Sequence, residues 1–333
     1  MVMGPEPVSG DTTTLIAEEQ ITPSQPKAIE GRSLGQIAWT RLKRDKVAMA
    51  GGAVVIFLIL VAVFAPWIVD LLGHPPNEFH QKLIDPDLGI PTGKFGGINK
   101  DFLFGLEPGN GRDLFSRIVY GSRVSLLIAF LATALSMVIG VIMGVISGYF
   151  GGWVDTVISR LMDVFLAFPL LLFAIALVGV IPDRAFGLSG DNLRLALLIF
   201  IIGFFSWPYI GRIIRGQTLS LREREFVDAA RSLGARGTYI VVRELLPNLV
   251  APILIYTTLL IPTNILFEAA LSFLGVGVRP PTASWGAMLT DASRIYQIDP
   301  YFMLFPGLAI FVTVLAFNLF GDGLRDALDP RAR

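Results

Sequence analysis

"EFVDAARSLGARGTYIVVRELLPN", residues 225–248, is a charged, helix-like stretch set between two apolar runs, 195–211 and 249–277. Phe226, Ala229, Ala230 and Leu233 recur at i, i+3, i+4 and i+7, which places them in one stripe of a helix. Gly234 stops that helix, as a residue able to adopt the left-handed conformation does just past a helix end. A second helical segment is predicted over 235–246, with Tyr239, Val242 and Leu246 on one side, and Pro247 ends it. Two kinds of partner suit such an element. An amphipathic helix can lie on lipid with its arginines at anionic head groups. A stripe containing two alanines is a weak lipid anchor, and its small residues suit insertion into a protein groove.

The flanking sequence sets the class. The chain has 333 residues, 53% hydrophobic and 16% charged, with a mean hydropathy of +0.64. Soluble domains carry about 25% charged residues, so the composition predicts a membrane protein. A spanning helix takes about 20 mostly apolar residues. Six segments meet or approach that length: 47–69, 124–148, 164–181, 195–211, 249–277 and 301–320.

With the N-terminus inside, segments 32–46, 149–161, 212–247 and 322–333 would be inside and carry 16 Lys and Arg. The outside segments 71–123, 182–194 and 279–300 carry 10, spread over more residues. The positive-inside rule therefore predicts an N-in, C-in chain. The expected fold is an all-α membrane protein of six transmembrane helices, with a cytoplasmic loop at 212–247 between spans four and five. Residues 1–31, rich in Pro, Thr, Ser and Glu and without an apolar run, read as a disordered cytoplasmic tail. Residues 32–72 then form a basic segment and the first span, 73–110 an extracytoplasmic loop, and 111–333 a core holding the other five spans.

Prolines 169, 208, 262 and 306 lie within the predicted spans, where neighbouring helices can re-satisfy the freed carbonyls. Glycines 140, 144 and 148 give span two a small face suited to close helix packing.

Several classes of chemistry are excluded or left without support. Net charge is zero, so no charge argument points to nucleic acid. There is no cysteine for a thiolate metal site. His74 and His80 lack zinc-ligand spacing and read as solvated loop residues. The nearest approach to a phosphate-binding loop, GIPTGK at 89–94, has three residues between its glycines and is followed by Phe95. No span holds a histidine or two acids, as an intramembrane hydrolase would need. A secondary transporter would show charges and broken helices in repeated halves, whereas Glu268 is the lone charge in span five.

The 225–248 stretch resembles the signature loop of ABC-transporter permease subunits: Glu-Ala-Ala, three residues, Gly, nine residues, Ile, one residue, Leu-Pro. This chain has Asp228-Ala229-Ala230, then Gly234, then Glu244, then Leu246-Pro247. Asp228 keeps the carboxylate of the usual Glu at shorter reach, and Glu244, standing where many members have Ile, is expected to face solvent. Three further stretches, "GRDLFSRIVYGSRVSL" (111–126), "EAALSFLGVGVRPPTASWGAML" (268–289) and "FNLFGDGLRDALDPRAR" (317–333), are similar to hallmarks of the C-type subunits of dipeptide, oligopeptide and nickel importers. So is 39–68. The likeness covers nearly everything after residue 35 except the outer insert near 73–104.

The resemblance implies a type I ABC importer permease, multi-pass in the bacterial cytoplasmic membrane and embedded in its lipid. It would be non-catalytic, with no metal and no cofactor of its own. It further implies a heterodimer with a second homologous permease, two cytosolic ATPase subunits that bind ATP and Mg, and an extracytoplasmic solute-binding protein. The cargo it points to is di- or oligopeptide, with nickel or an oligosaccharide as the alternatives. Phe226, Asp228, Ala229, Ala230, Leu233, Gly234, Leu246 and Pro247 are the implied ATPase-coupling residues. ATP-driven closure would then move this corner, and spans four and five would carry the motion through Pro208 and Pro262. Glu268, Ser272, Phe273 and Trp285 are candidates for an outer gate or path, Glu268 read as a buried hydrogen-bonding group and Trp285 as gate or interfacial anchor. Leu114, Phe115, Ile118 and Val119 form an apolar face ringed by Arg112, Asp113, Arg117 and Arg123. That arrangement is expected as a helix lying at the outer membrane surface or meeting a partner there.

Overall fold

A computed structural model describes Gly4 and residues 34–182 and 184–329, so the tail predicted over 1–31 lies, but for Gly4, outside the described residues. Helix α1 (Leu34–Leu42) docks on the far end of the chain, where the Arg41 guanidinium donates to the Asp329 carbonyl at 2.8 Å. Asp45 then caps α2 (Lys46–Val63), its carboxylate accepting from the Val47 and Ala48 amides.

The first predicted span, 47–69, is interrupted. It breaks at Phe64, and α3 (Ala65–Leu72) begins with Pro66 in its first turn. Pro66 offers no N–H and crowds the carbonyl four residues back, and the helix breaks just ahead of it.

From Gly73 to Asp113 the chain forms a compact cap rather than an open loop. Bridges join Ile84 to Pro91 and Leu106 to Asp113, and the His80 amide donates to the Gly111 carbonyl at 3.1 Å. The two histidines, expected as solvated loop residues, instead pack on Phe102, with ring centroids 4.5 Å (His74) and 5.0 Å (His80) away.

Asp113 caps α4 (Leu114–Phe150), a single helix of 37 residues that takes in both the predicted surface helix and span two. The third span is also broken. α5 (Gly152–Ala167) and α6 (Leu170–Val180) meet at 79° across Phe168–Pro169, so much of the inside connection expected at 149–161 is helix. A short hairpin, β1 (Arg184–Ala185) with β2 (Leu188–Ser189), leads into α7 (Gly190–Arg222). α7 therefore extends well past the predicted end of span four at 211.

After α8 (Glu225–Ser232) comes one helical turn, α9 (Gly237–Tyr239), then a π-helical stretch, Ile240–Leu245, and α10 (Leu246–Phe273). Pro247 was expected to end the second helix of the insert, but the helix passes through it. The widened turn of a π-helix just before Pro247 gives room for its ring and removes the need for its missing N–H. α11 (Trp285–Ala292) and α12 (Pro300–Leu328) complete the chain.

Among the described residues five helices are long and apolar enough to cross a membrane, and the bent α5–α6 pair can supply a sixth. Two tightly packed groups organise them. A Cβ on Gly140 would lie 2.7 Å from Ile210 Cβ, and one on Gly148 2.7 Å from Thr218 Cβ, so the small face of α4 meets α7. On the other side, Gly51 of α2 abuts α12, with the Ala316 carbonyl 2.8 Å from where its Cβ would be. α10 lies between the groups and contacts both.

Candidate functional site

The insert after α7 is tied back to the bundle at two points. Arg222 donates to the carbonyls of Gly148 and Tyr149 at 3.2 and 3.3 Å, satisfying the open C-terminal end of α4. Val227, fully buried, packs with Ile240 and Leu245, and Tyr149 and Ala230 close around them. Gly234 holds φ +81°, which a Cβ-bearing residue adopts only with strain. Around it the Gly234 amide donates to Arg231 and the Ala235 amide to Ala230, at 2.9 and 3.0 Å. The corner predicted from sequence is therefore formed.

The predicted stripe divides between two faces. Phe226, Ala229 and Leu233 point outward, Leu233 being 88% exposed, while Ala230 is half-buried beside Val227. Asp228 is exposed and pairs with Arg231 at 3.2 Å. Leu246 is half-buried and Pro247 exposed in the first turn of α10, behind the corner. Val227, the anchor, was missed by the sequence reading, although with Ala230 it forms an i, i+3 pair as regular as the stripe chosen. Glu244 does not face open solvent as expected. It is half-buried and lines a cleft of about 460 Å³ with Leu233, Arg236 and Tyr239.

At the opposite end of the bundle Glu268 is fully buried. Its carboxylate accepts from Ser125 of α4 at 2.9 Å and from Ser272 of its own helix at 2.8 Å. The Trp285 amide donates to the Ser125 hydroxyl at 3.3 Å, and the Trp285 indole donates to the Ile118 carbonyl at 3.0 Å. Glycine at 286 lets α11 come this near, because a Cβ there would be 2.6 Å from Ala269 Cα. Glu268, Ser272 and Trp285 thus converge, with Ser125 as the member that sequence did not single out. Phe273 is exposed and stands apart. Trp285, buried on all sides, is no interfacial anchor, because α11 folds back against α4 and α10.

The surface-helix reading of 111–126 is overturned for three of its four charged residues. Arg112, Asp113 and Arg117 are buried, and Arg123 is exposed. Glu107, brought over by the 107–112 turn, accepts both Nε and Nη2 of Arg112, the latter at 2.9 Å, and lies 3.3 Å from Arg117 Nε. Arg117 also donates to the Pro281 carbonyl at 3.2 Å, locking the cap to the segment before α11. Asp113 accepts from Ser116 at 2.6 Å and from the His74 amide at 3.0 Å. Charges so compensated can leave water, and breaking one side of such a pair is costly. Beside them, burial and then the Glu107 carboxylate hold Asp291 above the usual carboxylate range. Burial does the same for Asp299.

A cavity of about 410 Å³ lies where α5 and α6 bend, faced by Phe165, Phe168, Phe205, Tyr209, Tyr256 and Phe267 and lined by no charged side chain. Among the described residues no three His, Asp or Glu side chains gather as a metal-ligand set.

Residues 137–333 match a family described as the inner membrane component of binding-protein-dependent transport systems. Residues 33–86 match the N-terminal transmembrane domain of oligopeptide transport permease C. The glutathione transport system permease protein GsiD of Shigella flexneri serotype 5b (strain 8401) is 43% identical over 295 residues, 89% of this chain and 90% of that protein. The protein of the same name from Escherichia coli O157:H7 is 41% identical over the same shares of both chains. An inward-facing structure of the MetNI methionine ABC transporter superposes with a TM-score of 0.51 at 19% identity, covering 65% of this chain and 98% of that one. At that identity the likeness speaks for the fold.

Proposed function

The chain belongs to the inner membrane components of binding-protein-dependent transport systems, as a permease of the peptide-importer type, and from that premise we propose how it couples and what it carries. α8 is the coupling helix. It presents Phe226, Ala229 and Leu233 to a groove of a cytosolic ATPase, with Gly234 forming the corner behind them. The observation that carries this reading is the division of the insert: Val227 anchors α8 inward while an apolar row is left outward, uncovered among the described residues.

The rest of the assembly follows from that docking. Two ATPase subunits hold ATP and Mg, a second homologous permease completes the path, and this chain contributes no catalytic group. The end bearing α8 and α1 lies inside, and the 73–113 cap meets the extracytoplasmic side, where the solute-binding protein delivers cargo. Closure of the ATPases displaces α8, and α7 and α10, which flank the insert and contain Pro208 and Pro262, carry the movement into the bundle.

The cargo is a small peptide of the glutathione type, a reading supported by the two relatives named above, which are glutathione transport permeases. Mass spectrometry of the ligand retained by the cognate binding protein tests it. A short peptide or thiol tripeptide is the expected result, and a sugar or a nickel chelate overturns it.

A further inference from the structure

We propose that Asp155 and Arg215 form a clasp that makes the bent span α5–α6 move with the coupling loop, so that Asp155 is a positioning residue for transport. The proposal rests on the reading of α8 as the ATPase-coupling helix. Arg215 sits on the extension of α7 beyond its apolar run, about two helical turns before Arg222. Asp155 sits in the first turn of α5. The guanidinium donates through both Nε and Nη2 to the two carboxylate oxygens, the Nη2 bond being 2.6 Å. Ser147 of α4 adds a bond to the same carboxylate at 2.6 Å and Ser159 another at 3.2 Å. One carboxylate therefore joins three helices, and the two-pronged Arg contact fixes orientation as well as distance.

Further along the same face of α5, Met162 is buried over Gly211, whose absent side chain makes the space: a Cβ there would be 2.6 Å from Met162 Cε. Arg212 then reaches Asp163 at 2.7 Å. Residues 155, 159, 162 and 163 share one face of α5, so α5 is held to α7 over most of its length.

Beyond Ala167 the chain turns by 79°, and α6 packs on the first half of α7 and on α10, with Ala174 among Leu198, Ile201 and Ile202 of α7 and Leu271 of α10. Phe165 and Phe168, at the bend, face the aromatic cavity. A shift at the α8 end of α7 is thus carried by α5 to that bend, and α6, packed on the first half of α7, follows. Both side chains are partly exposed, at 31% and 19%, so water screens part of what the pair adds to folding. What a two-pronged, four-bond carboxylate supplies is a fixed direction of pull.

The chain has no cysteine, which makes the clasp replaceable. The test uses the full transporter in proteoliposomes, reading ATP hydrolysis and uptake side by side. Asp155→Asn is expected to lower uptake about tenfold while hydrolysis stays within about twofold, the size of a lost coupling energy. A paired Asp155→Cys, Arg215→Cys chain is expected to be equally slow and to regain uptake when joined by a short bis-methanethiosulfonate crosslinker, each cysteine thiolate displacing methanesulfinate to form a reducible disulfide. Reduction should then take the gain away. Unchanged uptake in Asp155→Asn, uptake and hydrolysis falling in proportion, or a crosslink that abolishes uptake each overturn the clasp. If Asp155→Asn does not assemble, the crosslinked pair decides. If the wild-type complex shows no ATP-driven uptake, the coupling reading itself fails and the clasp with it.

Discussion

A Cβ placed on Gly144 of α4 would sit 2.6 Å from the carbonyl oxygen of Gly211 on α7, nearer than packed atoms approach. The two helices meet backbone to backbone along the line of Gly140, Gly144 and Gly148, which is how small residues bring membrane helices together. α7 leads directly to α8, and Arg222 ties its end to the last carbonyls of α4. The frame behind the proposed coupling loop is therefore the α4–α7 pair.

Gly144→Leu is expected to destabilise that frame by about 1–3 kcal/mol, the usual cost of forcing volume into a packed contact. Thermal unfolding in detergent should show a lowered midpoint and poor yield. Gly216→Ala, on α7 with nothing within 4 Å of its Cβ position, should be neutral or slightly stabilising. Equal behaviour of the two variants would contradict the account.

Glu268 links α4 and α10 through Ser125. Glu268→Gln keeps an acceptor and a donor and should lower the unfolding midpoint only slightly. Glu268→Leu removes both bonds and should lower it further, the one that crosses to α4 being worth about 0.6–2 kcal/mol in a membrane. A leucine variant as stable as wild type would show that the hydroxyls find other partners at no cost.

Asp291 gives the cap a pH dependence whose sign can be fixed. Its folded-state pKa is raised, so the folded form favours the protonated acid. Stability is full below the ordinary carboxylate value of about 4 and declines as pH rises from there through the raised value. The groups facing it are Glu107, Arg112, Arg117 and Arg294. Asp291→Asn should therefore raise the unfolding midpoint at neutral pH, with the gain fading as pH falls to about 4. A gain that grows toward acid pH would reverse the assignment.

On α8, Ala229→Glu is expected to abolish coupled transport while leaving the chain folded, because Ala229 faces outward. Arg236→Ala should be mild. Uptake assays on membranes with matched expression separate the two, and a severe Arg236→Ala with a tolerated Ala229→Glu would move the docking surface to the charged rim.

The apolar runs were readable because twenty apolar residues in line have few other uses. Their interruptions were not. Pro66 and Pro169 stand at breaks, whereas Pro208, Pro262 and Pro306 lie inside continuous helices. The sequence of each resembles the others, and the outcome depends on whether neighbouring helices satisfy the freed carbonyls. Gly234 was readable because a corner there needs a residue free of Cβ. The burial of Arg112 and Arg117 was not, since it depends on Glu107 arriving through a turn whose closure is set by the whole cap. Val227 was passed over because two overlapping stripes fit the same short helix, and only the position of Ile240 and Leu245 chooses between them.

The central claim is that α8 meets a protein rather than lipid. A photo-crosslinking amino acid at Leu233, the most exposed apolar position of the corner, tests it in intact membranes. The account predicts a crosslink to a nucleotide-hydrolysing subunit, identified by mass spectrometry, that weakens in Ala229→Glu. Crosslinking to phospholipid, with no protein partner, would contradict it.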